Sequence, residues 1–314
     1  MSFRVRPWQL AALIIVLCAG VIALVFYYRH RGGASASELV SDLPSEDALI
    51  GWADVRAIRA SGMLDLVGEP KVAEEKDYRD FVDQTGFNYR EDLIAFGFSL
   101  RSDPATQQRD IFAVAHGNFD WKDIFRYTKA HGGECAQAFC HIAGSHPGRY
   151  LSFYPLRSDL MALAVSSDPY GALLVGKRPG KKPISVPQQP VWIIASASAL
   201  QSKDLLPEGT HAFASALQGA ERVTFSLGPT GDHLALAMDA ACRSPDDASA
   251  LLIRLEQTTE TLRKWIAREH QTANPADLSG VLTGGSFRRD DRTVFGSWPI
   301  QRAFIEAVAG GSSR

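Results

Sequence analysis

Leu93–Leu100 (LIAFGFSL) and Asp110–Ala115 (DIFAVA) are two short apolar runs separated by a polar, turn-rich stretch, Arg101–Arg109 (RSDPATQQR). Strand-forming runs on either side of such a loop predict an antiparallel hairpin. A different pattern follows at once. Asp120 is a helix N-cap type, and Trp121, Ile124, Phe125 and Thr128 share one helical face. Gly132-Gly133 then ends the helix. Hairpin followed by amphipathic helix sets the class as α+β, with antiparallel sheet covered by helices.

Working outward, Ala48–Val55 (ALIGWADV) predicts a strand, and Val72–Gln84 a helix stopped by Gly86. Short strands are expected around Phe139–Ala143, Tyr150–Tyr154 and Leu160–Val165, with a short helix starting at Asp168-Pro169. Lys177–Pro190 (KRPGKKPISVPQQP) is the main composition break, kept extended by four prolines. Beyond it come a strand at Trp192–Ala195 and a helical stretch at His211–Leu217. Arg222–Leu227 and His233–Ala240 flank the hairpin punctuation Gly228–Asp232. Ser244 caps a long helix over Pro245–His270, whose predicted stripe is Ala248, Leu251, Leu252, Leu255, Leu262, Trp265 and Ile266. Val281–Arg288 and Thr293–Trp298 read as a last strand pair, and Pro299–Val308 as a last helix. Each side of the break reads strand, helix, hairpin, helix, hairpin, helix, so two similar halves are expected, residues 47–176 and 191–310, joined by a linker at 177–190.

The amino-terminal region is of another kind. Trp8–Tyr28 (WQLAALIIVLCAGVIALVFYY) holds no charge, and eleven of its residues are Leu, Ile, Val or Phe. As a helix it measures about 31 Å, close to the ~30 Å of a bilayer core. Trp8 and Tyr27–Tyr28 suit the two interfaces, with Arg29 and Arg31 just beyond. Residues 1–31 are therefore expected to be a single-pass anchor in the lipid bilayer, and 32–46 a tether, with ordered structure starting near Asp47. Positive charges are nearly balanced across the span. The short leading tail and the single large domain that follows fit a signal-anchor with an exported, periplasmic domain. The competing reading is a cleaved signal peptide with an A-x-A-like site at Ala34-Ser35-Ala36, but the apolar run is longer than the usual 7–15 residues.

Leu43-Pro44-Ser45-Glu46-Asp47-Ala48, the strand end Ala53-Asp54-Val55-Arg56, and Gly117-Asn118-Phe119-Asp120 together resemble uncharacterised bacterial membrane-anchored proteins. In these a similar "LP-x-D-A" entry and "G-x-F-D" helix start recur. The resemblance covers the first half of the chain. It implies an exported α+β domain and brings no catalytic residues with it.

The chain of 314 residues is 46% hydrophobic and 22% charged with a net charge of −2, the balance of a globular protein. Near-neutrality argues against nucleic acid as a partner. No G-x-S-x-G, H-E-x-x-H or phosphate loop is present. His116, His131, Cys135, Cys140, His141 and His146 fall within about thirty residues. Cys135 and Cys140 are spaced for a short disulfide, which an exported domain permits and which would contribute about 2 kcal/mol. The same residues offer zinc or copper donors, though their spacing matches no standard finger. Cys135-x4-Cys140-His141 is also a stretched form of the haem-attachment pattern. Cys18 and Cys242 read as packing residues, and Asp54, Asp239 and Asp277 as turn or cap formers. Lys177, Arg178, Lys181 and Lys182 form a basic cluster within reach of anionic lipid heads. The expected function is a membrane-anchored extracytoplasmic binding or scaffold module with an envelope protein partner and no cofactor, with no catalysis identified and whether it is an enzyme left open. The alternative is a redox, metal or haem domain centred on Cys135 and Cys140.

Overall fold

The computed structural model describes residues 35–61, 76–102, 108–144, 146–176, 184–201, 215–230, 233–268 and 272–309. The fold is α+β. Its described strands form one antiparallel sheet of twelve, in the order β11-β12-β10-β9-β8-β1-β2-β3-β7-β6-β5-β4. In chain order these are β1 (Leu49–Ala53), β2 (Leu93–Ser102), β3 (Arg109–Gly117), β4 (Glu134–Ala136), β5 (Phe139–Ala143), β6 (Tyr150–Arg157), β7 (Leu160–Ser166), β8 (Val191–Ser196), β9 (Ala220–Thr230), β10 (His233–Cys242), β11 (Ser286–Asp290) and β12 (Thr293–Ile300). The hairpin expected at 93–115 is β2–β3, with Phe98 opposite Ala113. The linker does not separate two sheets. β1 and β8 pair directly along their lengths, Leu49 opposite Ala195 and Trp52 opposite Trp192. Counted outward from that seam, the strand order is the same on each side: β1-β2-β3-β7-β6 and β8-β9-β10-β12-β11, with β5 and β4 extending the first.

Strand alternation divides the core between the two sheet faces. Ile50, Trp52, Phe112, Val114, Trp192 and Ile194 pack on one face. Leu49, Ala195, Val223, Met238 and Ala240 pack on the other, as do Ala115, Phe153 and Met161. Gly51 is demanded by close approach in this layer: a Cβ there would collide with the Phe98 ring. Helix α5 (Trp121–Ala130), capped by Asp120 as expected, buries Ile124 and Thr128. Helix α7 (Pro245–Arg268) buries Ala248, Leu251, Leu255, Thr259 and Ile266. Its cap is Ser244, whose hydroxyl oxygen accepts from the Asp247 amide at 3.1 Å. Trp265, expected in the stripe, is 61% exposed. At 100° per residue it sits one full step away from Ile266, outside the buried arc.

Two expectations are corrected. The stretch 32–46 is not a tether where it is described. Ser35 and Glu38 form a capping box that starts helix α1 (Ala36–Ser41). Leu39, Val40 and Leu43 are buried to 2%, 0% and 0% exposure. The Ser37 hydroxyl donates to the Ile184 carbonyl at 2.8 Å, the Gly176 amide to Asp42 O at 2.9 Å, and the buried Ser99 hydroxyl to Pro44 O. Likewise Val281 does not begin a strand. Leu278–Thr283 is helix α8, capped by Asp277, and the strand runs only over Ser286–Asp290. The remaining helices are α2 (Val55–Ala60), α3 (Lys76–Thr85), α4 (Tyr89–Asp92), α6 (Ala197–Gln201) and α9 (Arg302–Ala309). The short helix expected after Asp168-Pro169 is a 3-10 turn, Gly171–Leu174. The helix expected at His211–Leu217 lies mostly outside the described residues.

Three outcomes follow from these contacts. Leu43→Ala is expected to cost about 2–5 kcal/mol by denaturant unfolding, where a residue in a tether would cost under about 0.5 kcal/mol. In the β4–β5 turn, Gln137 and Ala138 hold φ of +48° and +67°. The double substitution Gln137→Asn with Ala138→Gly should raise stability by about 1 kcal/mol in the same measurement, because an Asn-Gly pair adopts left-handed backbone at little cost. Burial acts to raise the Asp277 carboxyl pKa, but hydrogen bonds from Ser279, Gly280 and Asn274 outweigh it and hold the group below its ordinary value. Asp277→Ala should cost about 1 kcal/mol near neutral pH. A depressed pKa gives stability that is full above the unfolded value of about 3.9 and is lost as pH falls through the folded one. The gap to wild type in pH-dependent melts should therefore close below about pH 4.

Candidate functional site

At one end of the β1–β8 seam lies a cleft of about 470 Å³. Its floor is sheet, where Trp52 and Trp192 stack across the seam with ring centroids 6.5 Å apart and planes 19° apart. The first turn of α1 supplies Ser35 and Ala36, and the loop before β8 supplies Pro187–Pro190. The chain leaving β1 supplies Asp54, Arg56 and Ala57, and His116 closes the wall from the end of β3. A main-chain hydrogen bond, Asp54 N–H to Pro190 O at 2.7 Å, ties the two crossing chains together. The opposite end of the seam is bridged by side chains: Ser198 Oγ donates to Asp47 Oδ1 at 2.6 Å and lies 2.9 Å from Ser196 Oγ.

Two polar groups of the cleft are already half engaged. Asp54 Oδ1 accepts from the Ala57 amide at 2.8 Å and so caps α2. His116 Nε2 is 3.2 Å from Asp159 Oδ2, and Asp159 Oδ1 accepts from Arg157 Nε at 3.1 Å. The β6–β7 turn that carries Asp159 is itself held, since Trp121 Nε1 donates to Ser158 O at 2.8 Å. Arg56, Gln188 and Gln189 stand exposed at the rim.

The six residues clustered in sequence disperse in space. Cys135 and Cys140 face each other across β4–β5, with Cα atoms 4.1 Å apart and sulfurs 2.00 Å apart, as a disulfide. Cys140 is fully buried under α5 beside Ile124 and Phe153. His141 Nε2 lies 3.7 Å from Glu134 Oε2. His131 Nδ1 is bonded to Tyr127 O at 2.9 Å at the end of α5, and His146 is exposed. His116 belongs to the cleft. Among the described residues no three His, Cys, Asp or Glu come together as a metal site. The carboxylates singled out in sequence also separate. Asp54 and Asp277 are caps. Asp239 lies in one register row with Phe295 and Arg288. Burial pushes its carboxyl pKa up against the opposing charge of Arg288, whose guanidinium stacks 4.0 Å over the Phe295 ring. Trp8, Tyr27, Tyr28, Arg29, Arg31 and the basic cluster at 177–182 lie outside the described residues. Among the described residues no helix is long and apolar enough to cross a membrane.

The cleft was not legible in sequence, because its walls come from residues 35–36, 52–57, 94–95, 116 and 187–192. The local sign it carried was Asp54, a capping Asp placed directly after an apolar strand run.

No family model matches the chain, and no curated protein does. Solved structures do. Crystal form I of TP0453 matches with a TM-score of 0.50 and 9% identity, over 90% of this chain and all of that one. Crystal form III matches at 0.49 and 9%, over 88% and 100%, and crystal form IV at 0.42 and 10%, over 90% and 98%. The likeness to crystal form I is one of fold alone: an α+β chain built on a large antiparallel sheet, followed along almost its whole length.

Proposed function

We propose that the chain is a single-pass, membrane-anchored extracytoplasmic binding module whose ligand seat is the cleft at the β1–β8 seam. The observation that carries this reading is the continuity between the apolar stretch 8–28 and the domain. From Tyr28 to Ser35 is seven residues, a reach of at most about 25 Å. Ser35 both starts α1 and lines the cleft, and α1 is fastened by the buried Leu39 and Val40. An anchor in the bilayer therefore holds this domain, and this face of it, close to the membrane surface. The Cys135–Cys140 pairing supports export, since disulfides persist in oxidising compartments. The repeated strand order supports a domain made of two copies of a five-stranded unit, meeting at the seam. An envelope protein remains the expected partner, with no nucleic acid and no resident cofactor. The disulfide leaves no free thiols at Cys135 and Cys140 for the metal or haem form of the alternative, and the histidines stand apart; the pair keeps the redox form open.

Labelling with a membrane-impermeant thiol reagent, read by mass spectrometry on the peptide containing Cys135 and Cys140, tests the reading. Labelling only after reduction, already in cells permeabilised at the outer layer alone, is the expected result. Free thiols reached only after full lysis would place the domain in the cytoplasm and end the proposal.

A further inference from the structure

We infer that the cleft binds a neutral saccharide, a reading that rests on the binding-module proposal and narrows it. The cleft volume of about 470 Å³ lies within the 300–1,000 Å³ usual for small-molecule sites. The charges in its lining, Asp54 and Arg56, cancel. An anion or a cation would need an excess of one sign. A zwitterion is the competing ligand, since Asp54 and Arg56 supply one charge of each sign, and glycylglycine tests it below. What the inner wall offers is hydrogen-bonding capacity without net charge. Asp54 has one carboxylate oxygen, Oδ2, with no partner among the described residues, the other being occupied by the Ala57 amide. His116, engaged at Nε2 by Asp159, keeps Nδ1 as its remaining polar ring atom. The Gln188 and Gln189 carboxamides add donors and acceptors at the rim. The same lining includes half-buried Ile94, with the edge of Trp52 beside it over the buried Trp192 and Ala95. Polar groups of both kinds beside a small apolar strip suit a ring that carries hydroxyls at its edge and C–H bonds on its faces.

The full chain, in a detergent that carries no sugar, would be titrated with the disaccharide of N-acetylglucosamine and with maltose. Inorganic phosphate and glycylglycine serve as charged controls. Binding is read by tryptophan fluorescence and by saturation-transfer NMR. Saturable binding of at least one disaccharide is expected, weakened roughly fivefold by either Gln188→Ala or Gln189→Ala, the loss of about one hydrogen bond. Both side chains are exposed, so circular dichroism and melting should not change. The inference is overturned if neither disaccharide saturates, or if binding ignores both substitutions. It is equally overturned if phosphate or glycylglycine alone binds in a glutamine-dependent way. Thiol labelling separates this failure from failure of the broader reading, because compartment does not depend on which ligand fills the cleft.

Discussion

The pairing of β1 with β8 is the constraint on which the architecture depends. Trp52 and Trp192 are opposite one another but 140 positions apart in the chain (192 minus 52). Closing a loop of that length costs about 4 kcal/mol in chain entropy on the logarithmic scaling. Against this stand Ile50, Trp52, Trp192 and Ile194, all at most 6% exposed. Burial of such side chains contributes roughly 1.5–3 kcal/mol each, and the stacked indoles about 0.5–1.5 kcal/mol more. The burial term exceeds the closure term, so the seam is stable once both flanks are in place. Neither flank can bury these residues alone, since they lie on the shared strands. The sheet therefore forms as one body rather than as two domains on a linker.

The same asymmetry between local and distant contacts decides what could be read from the chain. β2 and β3 were legible because a short polar loop joins them and each strand carries its own apolar run. Helices α5 and α7 were legible from Asp120 and Ser244, whose side chains accept from amides three residues on. The seam was not legible, because no local signal says which distant strand β1 will meet. Helix α1 carried its signal in Ser35-x-x-Glu38, but six residues among Gly, Ala and Ser resemble a tether in composition. At 278–283 the helical spacing of Leu278, Val281 and Leu282 was obscured because Val281-Leu282-Thr283 by itself is as strand-like as it is helical, and the stop at Gly284-Gly285 was passed over. The histidine and cysteine cluster failed for a different reason. Closeness in sequence places its members on a strand end, a helix end, a hairpin and a loop, and only Cys135 and Cys140 meet because one two-residue turn joins them.

The opposite edge of the first half is secured differently. Arg149, 12% exposed, reaches Asp110, 8% exposed, at 3.1 Å. It also donates to the carbonyls of Arg109 and Val165. One side chain thus joins the start of β3, the end of β7 and the start of β6. A pair this buried is costly to break, since either partner alone would remain a desolvated charge. Its contribution is to register more than to net stability.

Cleft and amino-terminal segment share a wall, and this links position to recognition. Ser35 and Ala36 line the cleft, while Leu39, Val40 and Leu43, a few residues on, are core of the sheet face that carries Trp52 and Trp192. Any shift of α1 moves one wall of the cleft against a floor that cannot follow, because the floor is fixed by the seam. In an anchored chain the six residues between Tyr28 and Ser35 would transmit the position of the membrane to that wall. The mouth of the cleft would then meet ligands presented near the bilayer, and the α7 side of the sheet, with Ile253 and Trp265 exposed on its outer surface, would face away through the thickness of the domain.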